Sequence, residues 1–294
     1  MTPYERITNR IVATLEQGVR PWVQPWKATH AAGAVSRPLR HNGVPYAGIN
    51  VIALWCAAME RGYAAPVWMT YRQALELGAH VRKGETGSLV VYANSFTAPD
   101  GEAGDDGEGE QRRVRYLKSY TVFNVAQIDS LPDRYTAQAP QHLNPEARIA
   151  AAERFAASTG AVIRHGGHSA YYAPGPDAVQ MPPFEAFRDA CSYYATLLHE
   201  LTHWTGHQAR LVRSLRNRFG DEAYAAEELI AELGAAFLCA DLGIALEPRD
   251  DHASYLATWL KVLRSDSRAI FTAAAHAQRA ADFLHALQSV QEAA

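Results

Sequence analysis

The run His199-Glu200-Leu201-Thr202-His203 constrains this chain more than any other stretch. Two histidines four residues apart reach one point in space from a helix, where they stand one turn apart on the same face. That helix also places Glu200, next to the first imidazole, where it can take a proton from a water on a shared ion. Upstream, Phe184, Phe187, Cys191, Tyr194, Ala195 and Leu198 recur at three- and four-residue steps, which predicts a helix leading into the motif. The plain alternative is a polar, solvent-facing helix. A third ligand further along the chain argues against it.

A hydrolytic zinc site takes three protein ligands and keeps a fourth position for water. Residues 221–238 read as a second helix, rich in Ala and Leu and free of proline, that can supply the third. Leu229, Ile230, Leu233, Ala236 and Phe237 form its apolar stripe, and Glu228 and Glu232 share a face beside it. Carboxylates there are costly unless paired or metal-bound. Glu228 is therefore the expected third ligand, with Glu232 hydrogen-bonded to the far nitrogen of a ligand histidine. The spacing leaves the roles of Glu228 and Glu232 exchangeable. Glu227, about 100° around the helix from Glu228, is the weakest candidate. This layout resembles the gluzincins, in which a ligand glutamate sits on a second helix with an acidic residue one turn later. His207 reads as a loop residue or a partner of a ligand, because Gly206 ends the helix before it. Trp204 and Thr205 read as packing and capping residues.

The 294 residues suffice for two domains, and 48% hydrophobic with 20% charged residues describes a globular chain. No apolar run is long enough to span a membrane, and the start Met1-Thr2-Pro3-Tyr4-Glu5-Arg6 lacks the pattern of a secretion signal. Cys56, Cys191 and Cys239 are far apart among apolar helical residues and are expected as buried thiols in a reducing cytoplasm. The net charge of −3 hides an asymmetry: residues 1–135 carry +2 and residues 136–294 carry −5. Six acids of the first part (Asp100, Glu102, Asp105, Asp106, Glu108, Glu110) crowd into one glycine-rich loop, 99–110, expected to be solvated and mobile.

The pattern predicts an α+β chain of two domains, 1–135 and 146–294, with a Pro-, Gln- and Asn-containing linker over 136–145. In the first, helices are expected over 3–17, 47–62 and 70–77, an extended segment over Arg20–Lys27, and strands over 87–93 and 114–123. In the second, a helix near 146–158 precedes short strands at 161–165, 170–172 and 178–181. A small sheet before a His-Glu-x-x-His helix matches the zincin layout, whose edge strand pairs with an extended peptide. His165 and His168 read as polar loop or strand residues. The segment 253–291 reads as helical, with Tyr255, Leu256, Trp259, Leu260, Leu263, Ile270 and Phe271 as core.

Binders of single-stranded nucleic acid combine cationic grooves with aromatic stacking faces. The first half supplies both in Arg20, Trp22, Trp26, Lys27, Arg37, Arg40, Tyr46, Arg72, Arg82, Lys83, Arg115, Tyr116 and Lys118. On a strand, Tyr116, Lys118 and Tyr120 share one face and form a platform with a cation among rings. The competing reading is core aromatics with an ordinary cationic surface.

The segments Tyr4–Ile11, Gly18–Trp26, Tyr46–Asn50, Arg82–Glu85 and Tyr120–Asn124 resemble the amino-terminal domain of ArdC-type antirestriction proteins. Ala170–Tyr172, His199–His207 and Glu227–Leu233 resemble the second domain of the same family, so the similarity covers nearly the whole chain. It implies a small α/β single-stranded-DNA-binding domain joined to a zincin-like metallopeptidase domain with a short sheet and a His-Glu-x-x-His helix. It also implies a plasmid-encoded protein that protects incoming conjugative DNA from restriction. The 99–110 loop matches no motif of the family.

The expected centre holds one Zn²⁺ on His199, His203 and Glu228, with Mn²⁺ or Ni²⁺ as alternatives, and Glu200 activates water against a peptide carbonyl. Tyr224 or a later histidine is a speculative oxyanion donor, and the protein substrate is unidentified. The rival reading is a non-catalytic single-stranded-DNA shield with a structural or vestigial metal site. A nuclease is the weakest alternative, because nucleases favour carboxylate-rich sites with paired metals.

Overall fold

The structure is a computed structural model and describes residues 1–23, 36–99, 111–136, 145–213, 222–244 and 253–291. The chain opens with α1 (Pro3–Glu16), started by a reciprocal capping box between Thr2 and Glu5. Ile7, Ile11 and Leu15 repeat at helical spacing and are buried. Gly18, at φ 73°, turns the chain sharply back after the helix. Then come β1 (Leu39–Arg40), α2 (Ile49–Arg61), β2 (Val67–Thr70), α3 (Tyr71–Glu76) and β3 (His80–Val81). The first half ends with β4 (Ser88–Pro99), β5 (Gln111–Asn124), β6 (Ile128–Asp129) and α4 (Asp133–Thr136).

β4 and β5 form a long antiparallel hairpin within a four-stranded sheet of order β1-β2-β5-β4. Both strands run beyond the predicted 87–93 and 114–123, because the backbone ladder continues out to Pro99 opposite Gln111. The acidic loop lies outside the described residues except for Pro99, which ends β4. The segment Arg20–Lys27 was expected to be extended. Its described part instead closes a turn, with Val23 N–H donating to Arg20 O at 2.9 Å and Pro21 inside the turn, where its fixed φ favours the bend.

The second half comprises α5 (Pro145–Ala157), β7 (Val162–His165), β8 (Tyr171–Ala173), β9 (Ala178–Met181), α6 (Ala190–Thr205), α7 (Glu222–Leu242), α8 (Ala253–Ser265) and α9 (Ala269–Gln291). The three short strands form a sheet of order β7-β9-β8, which leaves β8 an edge, and α6 packs against β8 and β9. α6 begins later than the apolar spacing implies. Asp189 caps it by accepting from Ser192 N–H at 2.7 Å, and Phe184 and Phe187 instead pack their rings on Tyr193. The predicted linker lies mostly outside the described residues; its ends, Thr136 and Pro145, close α4 and open α5.

The two halves share a core. α1 packs on α8 and α2 on α9, Trp22 meets Trp259 edge-on at 6.2 Å, and Trp55 meets Phe237 at 6.0 Å. Arg37 is buried at this seam, paired with Asp241 and lying 4.8 Å over the Phe237 ring. Among the described C-terminal residues, Trp259, Leu263 and Ile270 are buried and Leu256, Leu260 and Phe271 are partly so. Tyr255's side chain is outside the described residues. The three thiols are free, and burial pushes Cys56 up to about 12. No described helix is long and apolar enough to cross a membrane.

One glycine sets the spacing of the two motif helices. A Cβ on Gly234 of α7 would lie 2.5 Å from Thr202 Cγ2 of α6, so glycine is what permits this approach one residue before His203. Gly234→Ala is expected to destabilise the protein by about 1–3 kcal/mol through overpacking, measured by denaturant unfolding. Unchanged stability would mean that α6 and α7 can separate without cost.

Candidate metal centre and nucleic-acid face

Gly234 draws α7 against α6, and the face of α7 that meets the motif carries Glu228. Its carboxylate spans the two imidazoles: Oε2 lies 3.5 Å from His199 Nε2, and Oε1 lies 3.4 Å from His203 Nε2. One ligand atom from each of His199, His203 and Glu228 lies within 4.8 Å of the others. Of the two roles that the spacing left exchangeable, Glu228 takes the inner one.

Behind each imidazole stands another carboxylate. Glu227 Oε1 is 3.1 Å from His203 Nδ1, while Glu232 Oε2 is 3.8 Å from His199 Nδ1, an ion-pair distance longer than the expected hydrogen bond. Glu227, the weakest ligand candidate by its place on the helix, lies outside the ligand set and orients His203 instead. Each outer carboxylate meets an arginine in turn. Arg213, almost fully buried, donates to Glu227 from Nε at 3.1 Å and Nη2 at 3.0 Å, and also to Thr205 Oγ1 and Thr202 O. The loop after α6 reaches this position through Val212 in the left-handed region, φ 53°. It is pinned beforehand by Arg210, which stacks 3.8 Å over Trp204 and pairs with Asp177. His207 lies in this loop and accepts from Ala209 N–H. On the other side, Glu232 Oε1 accepts from Trp22 Nε1 and Arg20 Nη1, each at 3.2 Å.

These contacts fit a cation. Nδ1–H of each imidazole turned toward a carboxylate leaves the Nε2 lone pairs for the ion. Burial alone would lower the basicity of His203, yet hydrogen bonds to Glu227 and Glu228 outweigh it and push His203 up to about 10. Burial also opposes ionisation of Glu228, but hydrogen bonds to His199 and His203 hold it far below the usual carboxylate range. Both shifts say that the site favours positive charge, which a divalent ion supplies in place of a proton. Glu200, beside His199 on α6, is 3% exposed, and Tyr224 lies one turn before Glu228, half-buried.

The nucleic-acid candidates divide. Trp22 is fully buried, and Arg20 and Arg37 turn inward with it, so their part in this structure is internal. Trp26 and Lys27 lie outside the described residues. Arg115 and Tyr116 pair with Ser95 and Asn94 in the hairpin, and their side chains are outside the described residues. Arg82 and Lys83 are exposed, Arg82 paired with Glu85 and Asp129; Arg72 is exposed and paired with Glu76. Lys118 is exposed and registers opposite Tyr92, and Val90 opposite Tyr120. Tyr92 (51% exposed), Lys118 and Tyr120 (45%) therefore share one sheet face. There a cavity of about 370 Å³ is lined by Arg40, His41, Tyr46, Tyr92 and Tyr120 among others. Tyr92 escaped notice because it ends the apolar run Leu89-Val90-Val91, and the cross-strand register alone shows its face.

The N-terminal domain of anti-restriction factor ArdC, as a family, matches residues 1–123, and a zincin-like metallopeptidase family matches residues 150–276. The crystal structure of the antirestriction ArdC protein from plasmid R388, in its metal-free form, superposes with a TM-score of 0.81. Identity is 46%, over 98% of each chain. The chain belongs to the ArdC family. The Mn(II)-bound form of the R388 protein gives a TM-score of 0.80 at 43% identity, covering 98% of this chain and 99% of that one. Among sequence relatives of this ArdC-family chain, the uncharacterised protein y4eC of Sinorhizobium fredii is 49% identical over 97% of this chain and 92% of its own. A DNA primase TraC of Escherichia coli is 38% identical over 98% of this chain, which spans 27% of that larger protein.

The raised His203 fixes a pH dependence. The stability it contributes is complete below the unfolded imidazole value, about 6.5, and is lost as pH rises through about 10. A metal must displace this proton, so ion binding near pH 7 is expected to release a proton. Apparent affinity should rise about tenfold per pH unit between 7 and 9. Calorimetry in buffers of different ionisation heat measures both, and an affinity independent of pH would contradict the charged histidine.

Proposed function

We propose that this ArdC-family chain is an antirestriction protein that holds single-stranded DNA on the open face of its N-terminal sheet and carries a divalent-metal peptidase centre between α6 and α7. The convergence of His199, His203 and Glu228 carries the peptidase half of the reading. Zinc is the first-choice ion for two imidazoles and a carboxylate, with Mn²⁺ or Ni²⁺ as alternatives. Bound there, the ion supplies Lewis acidity and a more acidic water. Glu200 accepts the proton of the attacking water and returns it to the leaving amine. Tyr224, four residues before Glu228 on α7, is the donor we assign to the developing oxyanion. The free edge of β8, packed beside α6, offers backbone groups to an extended peptide.

On the sheet, Tyr92 and Tyr120 present rings that accept any base, while Arg40 and Lys118 meet the phosphates. The free thiols, Cys56 and Cys239 buried and Cys191 partly so, fit a reducing cytoplasm, where DNA entering from a plasmid would meet restriction enzymes.

Glu200→Gln is expected to retain metal and fold while lowering peptide hydrolysis by about 10²-fold or more. Loss of protection in a plasmid-transfer restriction assay would tie antirestriction to proteolysis. Full protection would favour the rival shield, in which coating of the strand suffices. Independently, Tyr92→Ala with Tyr120→Ala in the full chain is expected to weaken single-strand binding by about 1–3 kcal/mol per base lost, with metal affinity unchanged. Mobility shifts across a salt series check this, and unaltered binding would move the DNA site off this face.

A further inference from the structure

The metal centre draws on a segment of the opposite half of the chain. Glu232 is 3% exposed and divides its two oxygens: Oε2 faces Nδ1 of His199, and Oε1 accepts from Trp22 Nε1–H and Arg20 Nη1–H. Trp22 itself is held on several sides. Its ring packs edge-on against Trp259, whose own Nε1–H donates to Ala225 O of α7 at 2.8 Å, three residues before Glu228. The turn that presents the pair is closed by Val23 N–H on Arg20 O, and Gly18 reverses the chain so that it returns from α1 toward α7.

We propose that Arg20 and Trp22 are positioning residues of the metal centre, so that the N-terminal half sets how tightly the C-terminal half holds its ion. The proposal rests on the metal reading above and adds to it a contribution from outside the zincin-like domain. The indole donor orients the Glu232 carboxylate, and the guanidinium balances its charge. Glu232 thus keeps its second oxygen directed at His199, whose imidazole stays turned with Nε2 toward Glu228. Partners behind metal-ligand histidines typically contribute about 10–100-fold in affinity. Arg20 and Trp22 act one contact further out, through Glu232.

The test uses the full chain and Zn²⁺ in competition with a chromophoric chelator, with thermal unfolding in EDTA as a control for the fold. Trp22→Phe removes the donor while keeping most of the ring, and Arg20→Met removes the charge while keeping the stem. Each is expected to weaken Zn²⁺ binding by about tenfold, with Arg20→Lys restoring much of the loss. Combined with Glu232→Gln, neither should weaken binding much further, because all three act through one carboxylate. Zn²⁺ affinity within twofold of wild type in both single variants would overturn the proposal, as would losses fully additive with Glu232→Gln. If Trp22→Phe unfolds the metal-free protein, the Arg20→Met and Arg20→Lys pair decides alone. A wild-type chain that binds no Zn²⁺, Mn²⁺ or Ni²⁺ would instead remove the metal reading itself.

Discussion

Burial of charge at the contact between α6 and α7 is the constraint on which the rest depends. Glu200, Glu227, Glu228 and Glu232 bring four carboxylates into a largely dehydrated space, where a lone carboxylate costs several kcal/mol or takes up a proton. Arg20 and Arg213 answer two of them with fixed positive charge. Glu228 faces both imidazoles, where one divalent ion would offset its charge. Without an ion the site draws a proton onto His203 instead, which is why that imidazole is so basic. Ligand geometry and the carboxylates around the imidazoles both fit a divalent cation.

The inner half of this arrangement was legible in the sequence. Histidines at a four-residue spacing, and a glutamate beside an apolar stripe, are local patterns that a helix turns directly into geometry. The long hairpin, the short C-terminal strands and most helices were legible for the same reason. The outer half was not. Which carboxylate stands behind His203 depends on how α7 is rotated against α6, and a helical wheel drawn on α7 alone does not show that Glu227 reaches it. Arg213 lies beyond a loop with no periodicity, and Arg20 and Trp22 lie more than 200 residues from Glu232. Composition misled there in a specific way. A tryptophan between an arginine and a proline-rich stretch looks like a stacking surface, yet an indole N–H is also a good donor to a buried carboxylate. Nothing in the local sequence separates those two uses.

The same contacts bear on how the chain is divided. A charge gradient and a polar segment near 136–145 mark two halves, and two family matches fall on either side of it. The structure ties those halves together through apolar packing of α1 and α2 on α8 and α9. Arg37 strengthens the seam by pairing with Asp241 and donating to Gln278, which also accepts from the backbone of Gly48. Opening this interface would expose tryptophan and phenylalanine rings and strand buried charges on both sides, a cost greater than a flexible tether between independent domains would carry.

That cost bears on the relatives. The match to TraC takes in 98% of this chain, although it occupies 27% of that protein's length. Both halves are present together inside a larger protein, as they are in the R388 structures. A candidate metal centre whose histidines and Arg213 come from one half, and whose Arg20 and Trp22 donors come from the other, loses part of its support if either half is transplanted alone. A zincin-like half without Arg20 and Trp22 would have to meet the Glu232 carboxylate some other way, with water or a new cation. Where the unit is carried, carrying both halves keeps Arg20 and Trp22 on the Glu232 carboxylate.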